Sequence, residues 1–247
     1  MNYRLEIQYD GTKYRGWQRQ SGTDRTIQGK IENVLSKMTG QEICIDGAGR
    51  TDAGVHAAAQ TANVHIPENK APGEEKLKAY LNEYLPEDIR ILHVRRAGER
   101  FHSRLNAVGK MYRYHMIKYD RDDVFLRNYA WKVKEPLDIE AMRRAAAYLI
   151  GKKDFRSFCA KPSKKKSTVR TLESIQIDET DTEITLTFKG DGFLHHMVRI
   201  LTGTLVEVGA GKRSPEEMPS ILEKKERRYA GETAPAKGLF LVKVYYD

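Results

Sequence analysis

The chain has little of what marks a metal-bound, disulfide-stapled or membrane-inserted protein. Its 247 residues hold two cysteines, Cys44 and Cys159, far apart and neither in a C-x-x-C pair. A zinc site or disulfide framework is therefore not expected, and a reducing cytoplasm is. No apolar run approaches the roughly 20 residues that span a bilayer. The N-terminus begins directly in a strand-like pattern at Tyr3, without an apolar signal core, so export is not expected. A phosphate-binding P-loop, a dinucleotide fingerprint and a His/Cys metal set are also missing. No low-complexity linker occurs; the nearest thing is a short basic loop at 161–170.

What is present is positive charge. Lysine and arginine exceed the acids by 43 to 34, giving a net charge of +9 and a pI near 9.4, with 31% of residues charged. That composition describes a soluble surface with a cationic excess, and it points to polyanions as partners. The length suits two halves of ordinary domain size, read here as 1–105 and 106–247.

Periodicity gives the elements. Tyr3, Leu5, Ile7 and Tyr9 alternate with polar neighbours and run into the turn residues Asp10-Gly11, a half-buried strand followed by a loop. Ile27, Ile31, Val34, Leu35 and Met38 keep helical spacing between a capping Thr26 and a stopping Gly40. Ile43 and Ile45 alternate into a glycine-rich turn and 61–66 alternates out of it. A helix through Leu77, Tyr80, Leu81 and Tyr84 and a strand from Ile89 complete the first half.

In the second half, 110–119 alternates with Tyr112, Tyr114 and Met116 on one face, and either face can be core. Asp138 caps a helix carrying Ile139, Met142, Ala146 and Leu149, and strands follow near 169–177 and 184–188. An apolar helical stripe is read from Phe193 through Met197, Ile200, Leu201, Thr204, Leu205 and Val208, with His195, His196 and Arg199 on it. Ser214-Pro215-Glu216-Glu217 is a helix start, and a strand from Leu239 closes the chain. The fold class expected is α/β, of α+β type. It has two similar halves, each a mainly antiparallel sheet covered by helices, with a basic cleft between them and no residue-by-residue repeat.

The segment Gly47-Ala48-Gly49-Arg50-Thr51-Asp52-Ala53-Gly54-Val55-His56-Ala57 is where chemistry is expected. Its glycines permit positive φ and close approach of another molecule, so Arg50 and Asp52 stand within reach of a ligand. An aspartate in such a turn often only caps a helix or closes an Asx-turn. A nearby arginine, however, holds a carboxylate ionised, which suits a nucleophile or an electrostatic stabiliser better than a general acid. His56, His195 and His196 are read as RNA contacts or helix-surface residues rather than metal ligands, so no metal is expected.

The stretch Gly49 to Ala57 resembles the signature of the TruA family of tRNA pseudouridine synthases. Tyr9-Asp10-Gly11, Gly16-Trp17-Gln18, Phe101-His102-Ser103-Arg104, Lys110-Met111-Tyr112-Arg113-Tyr114, Asp154-Phe155-Arg156-Ser157-Phe158, Val169-Arg170-Thr171, Gly192-Phe193-Leu194, Met197-Val198-Arg199 and Thr233-Ala234-Pro235 are similar to further family blocks, in order and over nearly the whole chain. The resemblance implies isomerisation of uridine to pseudouridine at positions 38 to 40 of the tRNA anticodon stem-loop, without a cofactor, by a cytoplasmic homodimer.

It also implies roles. Asp52 matches the catalytic aspartate, which meets C1′ or C6 of the uridine as covalent partner, as stabiliser of positive charge on the sugar, or as base. Tyr112 matches the position that stacks the flipped uracil, where ordinary strand packing is the plain alternative. Arg199 matches an arginine that pairs with the catalytic carboxylate, which leaves Arg50 to enter the RNA stack. The loop 161–170, with Lys13, Arg15, Arg19 and 224–228, is expected to meet phosphates. Trp17, Ser103 and Leu105-Asn106 depart from the family blocks without touching this set. Two rival readings share the sequence: a pseudouridine synthase for another RNA, and a non-catalytic RNA-binding module in which Asp52 is incidental.

Overall fold

The computed structural model describes residues 1–162 and 167–247, so the central part of the basic loop read at 161–170 lies outside the described residues. In chain order the elements are β1 (Asn2–Tyr9), α1 (Ile27–Thr39), β2 (Ile45–Gly47), β3 (His56–His65), α2 (Glu74–Tyr84), β4 (Ile89–Ala97), β5 (Ala107–Ile117), β6 (Trp131–Lys132), α3 (Ile139–Ala147), β7 (Gly151–Asp154), β8 (Val169–Glu179), β9 (Glu183–Gly190), α4 (Met197–Gly209), α5 (Met218–Lys224) and β10 (Leu239–Tyr246). The fold is mixed α/β with mostly antiparallel strands. Two compact units form, one of Met1–Val108 with Phe240–Asp247 and one of Gly109–Leu239. No helix among the described residues is long and apolar enough to cross a membrane.

In the first unit the strands lie in the order β4, β1, β3, β10, with β2 also pairing β3. β1 is antiparallel to both neighbours, and β10 runs parallel to β3 through Phe240 and Leu241 opposite His56 and Ala57. The alternation read in β1 is the burial pattern: Tyr3, Leu5, Ile7 and Tyr9 all face the core. Helix α1 starts where Thr26 Oγ1 accepts from Gly29 N, and ends where Gly40 takes the left-handed conformation at φ 69°. The buried Glu32 ties that helix to β2. Its Oε1 accepts from Ile45 N at 3.0 Å and from Gln28 Nε2 at 2.8 Å, and Arg19 approaches Oε2 at 3.4 Å. β2 leads straight into the loop that carries Asp52, so this acid anchors the site's approach.

In the second unit β5, β9, β8 and β7 form an antiparallel run, with the short β6 parallel to β5. The face of β5 carrying Tyr112, Tyr114 and Met116 is the buried one, paired across to Phe188, Leu186 and Ile184. Asp138 caps α3 by accepting from Ala141 N at 2.9 Å. The helix read from Phe193 begins later, at Met197. His196 adopts the left-handed conformation at φ 61°, which an α-helix cannot continue, so His195 and His196 precede the helix instead of lying on it. Helix α4 is also buried on nearly every side, eleven of its thirteen residues, rather than along one stripe. Its glycines explain part of this: a Cβ on Gly203 would fall 2.0 Å from the Glu232 carbonyl oxygen, so only glycine admits that segment against the helix. Ser214 starts a short 3-10 turn with a complete capping box before α5.

Candidate active site

The residues linking β2 to β3 form a loop held at almost every step from inside the first unit. Ala48 N donates to Thr61 O at 2.8 Å, and the buried Gln60 donates its side-chain amide to Gly49 O at 2.9 Å. Thr51 O accepts from Trp17 N at 3.1 Å, while Thr51 Oγ1 and the Tyr9 hydroxyl share a buried hydrogen bond of 2.8 Å. Val55 N donates to Asp52 O at 3.2 Å, and Gly54, at φ 76°, donates to Tyr14 O at 3.3 Å. Thr51 is buried, whereas Arg50 is exposed and Asp52 half-buried. The chain thus turns one side chain inward as an anchor and leaves a guanidinium and a carboxylate on either side of it.

The segment after β1 is the other wall of this anchor. Gly16, at φ 96°, lies against Thr51, where a Cβ would meet the carbonyl oxygen at 2.6 Å. Trp17 is buried and covers Gly47 with its indole, where a Cβ would come within 2.5 Å of Nε1. The Tyr14 hydroxyl donates to Asp88, and burial first, then that carboxylate, pushes its pKa well above the usual tyrosine value, so the phenol stays a neutral donor. His56 is fully buried, stacks on Phe240 at 4.5 Å between centroids, and accepts the Gly11 amide at Nδ1, 3.1 Å away. The same Nδ1 lies 3.1 Å from Asp10 Oδ1, so the buried ring joins the loop after β1 to the start of β3.

The other candidates stand in the second unit. Tyr112 is 8% exposed, with its ring set edge-on to Phe193 at 5.1 Å. Arg199, half-buried on α4, donates from Nε to Ala234 O at 2.7 Å, and its own carbonyl accepts from Ala234 N at 3.1 Å. That pair of hydrogen bonds seats the 233–235 segment against the helix. Tyr114 is fully buried and donates to Pro235 O at 2.7 Å, a structural role. Of the cations read as phosphate contacts, Arg19 is engaged with Glu32 and Glu42, and Arg228 with Glu226 at 2.9 Å. Lys224 and Arg228 also sit over the Tyr229 ring, at 4.3 and 5.0 Å.

Arg50 and Asp52 are legible in the sequence, whereas the groups that hold them are not. Tyr9 reads as one more inward residue of β1, and its bond to Thr51 joins positions 42 apart in the chain. Gln60 carried one signal, an amide at an inward position of a strand, since a buried polar side chain must find a partner. Ser103, one of the departures noted above, is buried with its hydroxyl donating to Asp46 O.

A family model described as tRNA pseudouridine synthase matches residues 6–106 and 145–247. Arg50, Asp52 and Arg199 fall inside the matched stretches, and Tyr112 in the segment between them. The chain is 48% identical over 240 residues to tRNA pseudouridine synthase A of a Bacillus species, covering 97% of each. It is 45% identical over 245 residues to tRNA pseudouridine synthase A 2 of a strain of Bacillus cereus, covering 99% of each. With the protein of that same name from Clostridium tetani it shares 44% over 247 residues, 100% of this chain and 99% of the other.

Proposed function

The chain belongs to the tRNA pseudouridine synthase family, and from that premise we propose that Asp52 supplies the carboxylate for isomerising uridines 38 to 40 in the tRNA anticodon stem-loop. The enzyme is an isomerase whose substrate is tRNA. The reaction breaks the C1′–N1 bond, turns the uracil over and forms C1′–C5. C5 gives up its proton and N1 gains one, so no electrons are exchanged with a redox partner. An ionised acid serves each available route, by bonding to C1′ or C6 or by steadying positive charge on the sugar.

The observation that carries this reading is Asp52 itself, half-buried beside the exposed Arg50 on a loop fixed through the buried Thr51. In the proposed roles Tyr112 stacks the extruded uracil, Arg50 fills the space it leaves in the RNA stack, and Arg199 brings positive charge toward the bound nucleotide. The protein works in the cytoplasm as a homodimer, without a cofactor. The test is release of tritium from C5-labelled uridine in tRNA. Wild-type protein releases it and Asp52→Asn binds the same tRNA without releasing it. Turnover by the Asn variant, or no release by folded wild-type protein, overturns the proposal.

A further inference from the structure

We infer that the Thr51 hydroxyl, gripped by the buried phenol of Tyr9, is the positioning device that sets the direction of the Asp52 carboxylate. This rests on the reading of Asp52 given above. Thr51 is the residue immediately before Asp52, so whatever fixes its backbone fixes the peptide from which the carboxylate departs. It is fixed twice, by its side chain on Tyr9 at 2.8 Å and by its carbonyl on the Trp17 amide at 3.1 Å. Tyr9 and Thr51 are 3% and 7% exposed, so water does not compete for either hydroxyl.

The grip comes from a rigid element. Tyr9 is the last residue of β1, paired with Ala57 of β3 on one side and Ile89 of β4 on the other, and its ring lies 6.0 Å from that of Trp17. A strand held on both sides moves less than a loop, which is what a group orienting a reactive side chain requires. Packing alone does not require the two hydroxyls, since phenylalanine and valine fill nearly the same volume. The hydroxyl pair adds a direction: it allows one rotation of the Thr51 side chain, and through it one path for the chain into Asp52. A reactive group misplaced by about 1 Å loses about 100-fold in rate.

The experiment uses Thr51→Val, Thr51→Ser, Tyr9→Phe and the double variant Tyr9→Phe/Thr51→Val in the C5-tritium assay, each with its tRNA affinity and melting temperature. Thr51→Val and Tyr9→Phe are each expected to lower kcat by about 10- to 100-fold, with tRNA affinity unchanged. Thr51→Ser, which keeps the hydroxyl and loses the methyl, is expected to stay within about 3-fold of wild type, a rescue that a packing role does not give. The double variant falls no further than the worse single one, because both break the same bond. Wild-type kcat in Thr51→Val and Tyr9→Phe, or a Thr51→Ser as slow as Thr51→Val, overturns the inference. Should Thr51→Val fail to fold, Tyr9→Phe decides by the same kcat-against-affinity criterion. An inactive Asp52→Asn beside fully active Thr51→Val and Tyr9→Phe overturns this inference alone. An active Asp52→Asn removes the reading beneath it and the inference together.

Discussion

Gly11 lies so close to Val55 that a Cβ on it would stand 2.0 Å from the Val55 carbonyl oxygen and 2.6 Å from the carbonyl carbon. Both obstacles are backbone, so neither can rotate away. The same glycine donates its amide to His56 Nδ1, and Val55 N closes the turn at Asp52 O. Gly11→Ala must therefore push the loop that carries Asp52 off the strand end that supports it. Overpacking of this kind costs about 1–3 kcal/mol, and the displaced part is the turn carrying Asp52. The expected result is a lower melting temperature together with a loss of turnover larger than the loss of tRNA binding; unchanged kinetics would show that the loop tolerates the shift.

Tyr112 gives a second expectation from ring geometry. Its edge-on contact with Phe193 at 5.1 Å fixes the ring plane without using the hydroxyl. If the ring's face is what receives uracil, Tyr112→Phe keeps most activity, while Tyr112→Ala loses about 1–3 kcal/mol of stacking and with it one to two orders of magnitude in turnover. Steady-state kinetics on the two variants decide it. Equal losses would assign the hydroxyl a part of its own in the reaction.

Glu32 is the buried acid that ties α1 to the strand entering the site. Removing its carboxylate leaves the Ile45 amide without its acceptor in a place water does not reach, and takes one of two acceptors from Gln28 Nε2, which keeps its bond to Ile45 O at 3.2 Å. An orphaned buried donor costs about 1–3 kcal/mol, so Glu32→Ala is expected to destabilise the protein by roughly that amount in a denaturant titration. A loss under half a kilocalorie, well below about 1 kcal/mol, would mean that another group takes over the amide.

What the sequence made legible, and what it hid, follows the reach of each interaction. Helix α1 was readable because its start and stop are local: Thr26 caps three residues ahead, and Gly40 takes a conformation that glycine favours. The β1 alternation and the glycine-framed pair Arg50 and Asp52 were readable for the same reason. The start of α4 was not, since a histidine at φ 61° gives no compositional sign and the apolar spacing carries on through it. The return of β10 to pair with β3 joins Phe240 and Leu241 to His56 and Ala57, a separation that no window of sequence spans. The grip of Tyr9 on Thr51 was hidden in the same way: each residue looks ordinary in its own segment, and only the sheet brings them together.

The C-terminal strand offers a test through pH. Tyr246 donates its hydroxyl to Ser103 O at 2.6 Å, packs against Phe101 at 5.2 Å and lies under the Arg4 guanidinium at 4.3 Å. Burial is the dominant influence on it and pushes its pKa up to about 12, against smaller lowering effects from a hydrogen bond with Thr61 and the Arg4 charge. An unfolded chain ionises tyrosine near pH 10. Because the folded value is the higher one, the stabilising contribution is complete below about pH 10 and drains away as the pH rises toward about 12, where the unfolded state releases a proton that the folded state keeps. Tyr246→Phe cannot release that proton. It should melt lower than wild type at pH 8, for want of the bond to Ser103, and the gap should narrow between pH 10 and 12. Tyr14 and Tyr114, whose pKa values burial also raises, are present in both proteins and cancel from the comparison. Melting curves that stay parallel across that range would show that Tyr246 ionises as freely in the fold as outside it.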